Sequence, residues 1–436
     1  MKYYFLIAFI GLAITSCKPK FEEPEMSAGE INPTRFVMVG GAHTAGYMDD
    51  ALYFDGQENS LANLIAGQLE KVGGGSFYQP LVSANSVGVN LNGLSKLKLG
   101  YKTDCENVAS LSPLRVAATG DLSIWSDNLY NANSHFGNYG VPGLKVSDAF
   151  TANYAAQNNY FNRMKSAVSA SVMEDAMAQN PTFFSLFLGL DDVMAYAKAG
   201  GKGQTLPTAL EFQTDYMAVV EELISSGAKG VLATIPDVTK MPYFTTIPYN
   251  GLALTEADAG NLDLLNNVYN PLGYFFDYGN NPFMMVDSTA NDFAVRQLLP
   301  GEYLLLSLPL DSVKCHQVGV LYPFRDEFVL SLQEVNLLRS RITAYNQVIT
   351  NLSNQYGLAL VRTDEFIGSL SDGFVYNGVS MSAKFVSGGA YSLDGIHLNA
   401  RGNAVLANQF IKAINSKYKA RIPAVNATAT SAILFP

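Results

Sequence analysis

The sequence predicts an α/β fold, a three-layer α/β/α sandwich on a mainly parallel sheet, and three observations lead there. Short apolar runs recur along the chain. Each is followed by a stretch with apolar residues at steps of three and four, and Gly or Asn punctuates the change of period. The composition agrees: 436 residues, 48% apolar and 15% charged, with 37 Gly in no regular period, suit a large folded body rather than disorder or a fibre. With 28 basic and 38 acidic residues the net charge is −10, and no Lys/Arg run could neutralise successive phosphates. Nucleic acid is a poor partner for such a chain.

In chain order, Arg35–Val39 is a buried-strand run entering Gly40-Gly41, and Leu61, Leu64, Ile65 and Leu69 then recur at helical spacing. Val172–Asn180 reads as helix, Phe183–Leu188 as strand and Asp192–Ala199 as helix. Leu210–Ser226 continues as helix, and Gly227 to Gly230 turns into the strand Val231–Ile235. Val335, Leu338, Ile342, Tyr345, Ile349 and Leu352 mark a long amphipathic helix before the strand Leu358–Val361. A last helix over Arg401–Tyr418 buries Ala407, Phe410, Ile411 and Ile414. Two Gly-, Ser- and Asn-rich or Asn-, Asp- and Tyr-rich stretches, about 72–136 and 249–324, break this rhythm and read as long insertions in a body spanning 35–420, with a tail over 421–436. Loops inserted at the carboxyl ends of parallel strands shape a pocket.

Residues 1–16 read as an address. The apolar run Phe5–Ile14 suits a signal peptide and is too short to cross a membrane. The segment Ile14-Thr15-Ser16-Cys17 resembles a bacterial lipobox, which implies cleavage before Cys17, a lipid on that thiol, a polar tether over 17–34, and a periplasmic or cell-surface place in the envelope. Cys105 and Cys315 could pair in an oxidising compartment, but their distance along the chain favours two separate buried thiols.

Only four His are present: His43, His135, His316 and His397. In Ser392-Leu393-Asp394-Gly395-Ile396-His397, an acid three residues before a His lets one turn hold an imidazole tautomer and stabilise its charged form, as a general base in acyl transfer requires. By spacing alone, D-x-x-H arises often by chance, and a structural Asp–His hydrogen bond explains the pair better than catalysis does.

From Asp394 to Asn415 the chain resembles the C-terminal block of the SGNH, or GDSL, esterases, whose catalytic Asp and His come from one D-x-x-H. Three further stretches fall in that family's order: Val39–Gly46 after the first strand, Asn138–Gly143, and Gly189-Leu190-Asp191-Asp192 in place of G-x-N-D. The likeness runs from Arg35 to Tyr418 and is greatest to large, lipobox-bearing bacterial members. It implies a flavodoxin-like sheet with Asp394 and His397 as the retained dyad. The oxyanion hole would be built from Gly143 and position 191.

Two positions depart from the pattern. The nucleophilic Ser falls on Ala42, which has no oxygen to attack with, and such a loss costs about 10⁶ in kcat. The oxyanion-hole Asn falls on Asp191, whose ionised carboxylate would oppose an oxyanion roughly 3 Å away by roughly 5 kcal/mol at an effective dielectric of about 20. Thr44 points roughly 200° around a helical turn from Ala42, and His43 faces another way, so neither replaces the serine. Asp191, Asp192 and His397 lack the further His or Cys that a metal centre would use, so no metal and no cofactor is expected. Asp192 is expected to cap or anchor its helix.

These readings imply a lipid-anchored, catalytically impaired protein that binds an ester, acylated glycan or lipid in the inherited cleft. The alternatives are an active ester hydrolase using Asp394–His397 with another nucleophile or an activated water, and a purely structural or interaction lipoprotein. Aromatic residues of the insertions, Tyr243, Phe244, Tyr249, Tyr269, Tyr274, Phe275 and Phe276, suit either stacking on a ligand or core packing.

Overall fold

The computed structural model describes residues 25–130, 136–288, 294–433 and 435. The signal segment, Cys17 and His135 lie outside the described residues. Five strands form the central sheet: β1 (Phe36–Gly40), β2 (Asn138–Gly140), β3 (Phe183–Phe187), β4 (Lys229–Ala233) and β5 (Ala359–Val361). Every pairing is parallel and the order is β5-β4-β3-β1-β2, the flavodoxin-like arrangement. β1 and β3 are buried at every residue, as a strand covered on both faces must be.

Six helices matter for the site: α1 (Ala42–Ala45), α2 (Leu61–Glu70), α3 (Leu190–Lys198), α4 (Ala209–Ile224), α5 (Leu332–Gln355) and α6 (Ala400–Tyr418). α2 packs beside α6 on one face of the sheet, and α4 beside α5 on the other, where Phe212 stacks on Tyr345 at 4.0 Å between ring centroids. The ends are set locally. Ser60, Thr208, Ser331 and Asn399 each accept a backbone N–H of the first turn, and Thr208 and Ser331 complete reciprocal capping boxes with Glu211 and Glu334. Among the described residues no helix is long and apolar enough to cross a membrane.

The register decides where chemistry can sit. Gly40, the last residue of β1, pairs with Gly140 on one side and Phe187 on the other. Residues 41–42, 141–143 and 188–191 therefore leave the sheet side by side, at the carboxyl ends of three adjacent strands. The chain steps from β1 out to β2 and then across β1 to β3, so this is the switch point of the topology, where a crevice opens.

Outside the sheet, Leu97–Thr103 and Ala109–Arg115 pair as an antiparallel hairpin. Residues 247–329 build two small apolar cores of their own, one around Phe283, Met285 and Phe324, the other around Leu265, Tyr269 and Phe276. The expectation of two separate buried thiols is overturned. Cys105, exposed in the turn of the hairpin, is disulfide-bonded to Cys315 in the short helix Leu310–His316, 210 residues later. Separation along the chain is no guide where a loop and a helix meet above the same crevice.

Candidate functional site

The dyad sits on a tight turn. Tyr391 and Leu398 bridge antiparallel, Ser392 donates its N–H to the His397 carbonyl at 2.8 Å, and Asn399 then starts α6. Within the turn, Asp394 Oδ1 accepts the N–H groups of Ile396 and His397, both at 2.8 Å. Its Oδ2 accepts the Asp50 N–H and lies 2.9 Å from His397 Nδ1. Burial alone would raise the Asp394 carboxyl. The His397 charge and these hydrogen bonds outweigh burial and hold it well below the usual carboxylate range. An ionised Asp394 can only accept, so His397 Nδ1 carries the proton and Nε2 is the nitrogen left for chemistry.

A second turn holds the first. Asp49 and Asp50 both adopt left-handed backbone conformations, with φ of 52° and 54°, a strained pair for residues with a Cβ. The Asp49 N–H donates to Ser392 Oγ, and its carboxylate accepts the Leu393 N–H and the Tyr53 hydroxyl. Asp50 presents its own N–H to Asp394, while its carboxylate takes Asn90, Tyr47 and Arg115. Nothing in the residue spacing marked Asp49, Asp50 or Arg115 as site residues. The adjacent acids four residues after α1 are the only trace.

At the ends of β1, β2 and β3 stand the other expected residues. Asp191 Oδ1 accepts the Gly143 N–H at 3.0 Å, and the Ala42 N–H serves the same carboxylate. Gly143 has φ +85°, a conformation in which a Cβ is strained. Gly41 is required for a different reason: a Cβ there would lie 1.7 Å from Asp191 Oδ2, so only a bare Cα lets the carboxylate approach. Burial pushes the Asp191 carboxyl up, against the pull of His397 and of the two amides. Asp191 thus does not face an empty hole as a bare negative charge; it takes up the amides that would line one.

His43 does not face away, as its place in the sequence suggested. Its ring lies 5.2 Å from that of His397, and the Tyr47 ring closes on His397 from another side at 4.9 Å. His43 is buried, and burial followed by the nearby His397 charge lowers its imidazole to about 3, so it is neutral at ordinary pH. Its Nδ1 and the Thr44 hydroxyl have no hydrogen-bond partner among the described residues. Asp192 is not a cap. Gly189 holds the N-cap position of α3, and Asp192 anchors the β2–α3 side of the crevice by accepting the Val146 N–H at 3.1 Å. Burial raises its carboxyl to about 7.

Beside the dyad lies a cavity of about 740 Å³, between the hairpin, residues 306–314 and the turn carrying Asp394. Tyr243 lines it, whereas Phe244, Tyr269 and Phe276 pack in cores and Phe275 is exposed. Among the described residues no cluster of three or more His, Cys, Asp or Glu is placed to hold a metal ion.

No family model matches the chain, and no curated protein matches it. Two solved structures are similar in part. One is an acetyl xylan esterase, AlAXEase, 15% identical, with 63% of this chain and 78% of that one covered at a TM-score of 0.27. The other is LAE5, an alpha/beta hydrolase enzyme from the metagenome of Lake Arreo, Spain, 12% identical, with 88% and 96% covered at 0.36. At such scores the sheet itself, not these neighbours, carries the assignment of the fold.

Proposed function

We propose that this chain is an SGNH-like lipoprotein in which the hydrolytic site has been silenced and the cleft kept for binding. In this reading Ala42 occupies the nucleophile's position, Asp394 and His397 are the surviving half of a triad, and Gly143 and residue 191 are the former oxyanion hole. The observation that carries it is the Asp191 carboxylate on the amides of Gly143 and Ala42. Those donors stabilise a developing oxyanion in an acyl-transfer enzyme, and here they are already satisfied by an internal acceptor. The hydrogen bond between Asp394 and His397 Nδ1, which leaves Nε2 free, is the arrangement a general base uses and supports the reading. The lipid on Cys17, the envelope location and an ester, acylated glycan or lipid as ligand belong to the same proposal.

The test is hydrolysis of short-chain aryl esters by the full chain. The wild type is expected to show no turnover above a His397→Ala control. The double variant Ala42→Ser/Asp191→Asn, which restores a nucleophile and a donor, is expected to gain activity. His397-dependent turnover by the wild type would instead establish the rival reading of an active hydrolase with an activated water. A folded double variant without any gain would show that the surrounding cleft no longer supports the chemistry.

A further inference from the structure

The cavity beside Asp394 has an uneven account of charge. Four carboxylates line it, and each is already engaged. Asp50 pairs with Arg115, Asp311 with Lys102 and Asp104 with Lys314, while Asp394 accepts three backbone N–H groups and the His397 ring. Of the four cations on the walls, three are consumed by those pairs. The fourth, Lys198 at the end of α3, has no ion pair among the described residues and stands on the wall with its ammonium free. Much of the remaining lining is apolar or aromatic: Leu97, Leu306, Leu308, Ile396, Tyr243 and Phe385.

We infer that this cavity binds an amphipathic monocarboxylate, its acid group paired with Lys198 and its hydrocarbon against the Leu306–Leu308 and Tyr243 wall. The inference goes beyond the silenced-site reading, since the cavity meets that site at Asp394 and is lined by none of Ala42, Gly143, Asp191 or His397. A ligand entering a cavity of this size sheds most of its water, so an unpaired cation on the wall selects the sign of the ligand's charge. An added cation would meet no free carboxylate. A neutral ligand would offer the Lys198 ammonium no partner in place of the water it faces. No bond forms or breaks in this step.

Calorimetric titration of the full chain with octanoate and with octan-1-ol separates charge from hydrocarbon. Octanoate is expected to bind about tenfold more tightly than the alcohol, the margin of one partly desolvated ion pair. Lys198→Ala is expected to erase that preference while leaving the alcohol unchanged, and Lys198→Arg to keep it. Lys198 is exposed, so both variants should fold, and an unchanged melting temperature checks this. Equal binding of acid and alcohol, a preference that survives Lys198→Ala, or binding of neither overturns the inference. Its failure is distinct from that of the silenced-site reading. Ester turnover by the wild type sinks the latter and leaves the acid preference to be measured, while absence of a preference leaves the turnover result standing.

Discussion

Two carboxylates flank His397 in one crevice, and the structure treats them in opposite ways. Asp394 receives four donors: the amides of Asp50, Ile396 and His397, and the His397 ring. It is held ionised. Asp191 receives two amides, and burial raises it. Burial pushes both upward, so burial alone does not set proton affinity; at Asp394 the His397 charge and the four donors outweigh it, and at Asp191 the His397 charge and two amides do not. The first half of the site is a complete hydrogen-bonded unit, and in the second the amides of Gly143 and Ala42 are taken up by Asp191.

That contrast can be broken by removing each acid in turn. Asp394→Ala leaves three buried N–H groups without an acceptor and is expected to cost about 3–5 kcal/mol in denaturant unfolding, against about 1–3 for Asp191→Ala, which orphans two. If Asp191→Ala is the costlier, the ranking of the two halves is wrong. A pH series sharpens the comparison through His43, the imidazole packed beside the His397 ring. The His43 ring titrates at about 3 in the folded protein against 6.5 as its model value. The unfolded chain therefore binds its proton first as pH falls. Stability from this group is whole above about 6.5 and drains away down to about 3, by about 2 kcal/mol between pH 7 and pH 5. A His43→Phe variant should lack that limb of the stability curve; an unchanged limb would mean that the ring is hydrated. The smallest effect concerns the bare Cα under Asp191. Gly41→Ala should cost about 1–2 kcal/mol, and most of that penalty should vanish in an Asp191→Ala background, where the side chain that a new methyl would strike is gone.

Much of the frame was legible in the residues. The apolar runs at 36–39, 183–187 and 231–233 are strands because a sheet covered on both faces leaves no place for an alternating pattern. The steps of three and four from Val335 to Leu352 became α5. Asp394 and His397 could be paired from sequence because one turn holds both. The rest depended on tertiary facts with no local signature. His43 faces His397 because the fold brings α1 against the turn before α6, a meeting of segments more than 340 residues apart. Asp49 and Asp50 sit at positive φ because Ser392, Leu393 and Asp394 hold them there from more than 340 residues away. Lys198 reads as an ordinary helix-end cation until every other charge around the cavity is found to have a partner.

The bond between Cys105 and Cys315 makes a closed ring of half the molecule. Strands β2, β3 and β4 all lie on the stretch of chain between the two sulfurs. A protease that cuts once anywhere in that stretch opens the ring without releasing a fragment, so the nicked protein stays one covalent piece until a thiol is added. Strands β1 and β5 lie on the two free arms, and β1 runs between β2 and β3, so the sheet inserts a strand from an untethered arm among strands of the ring.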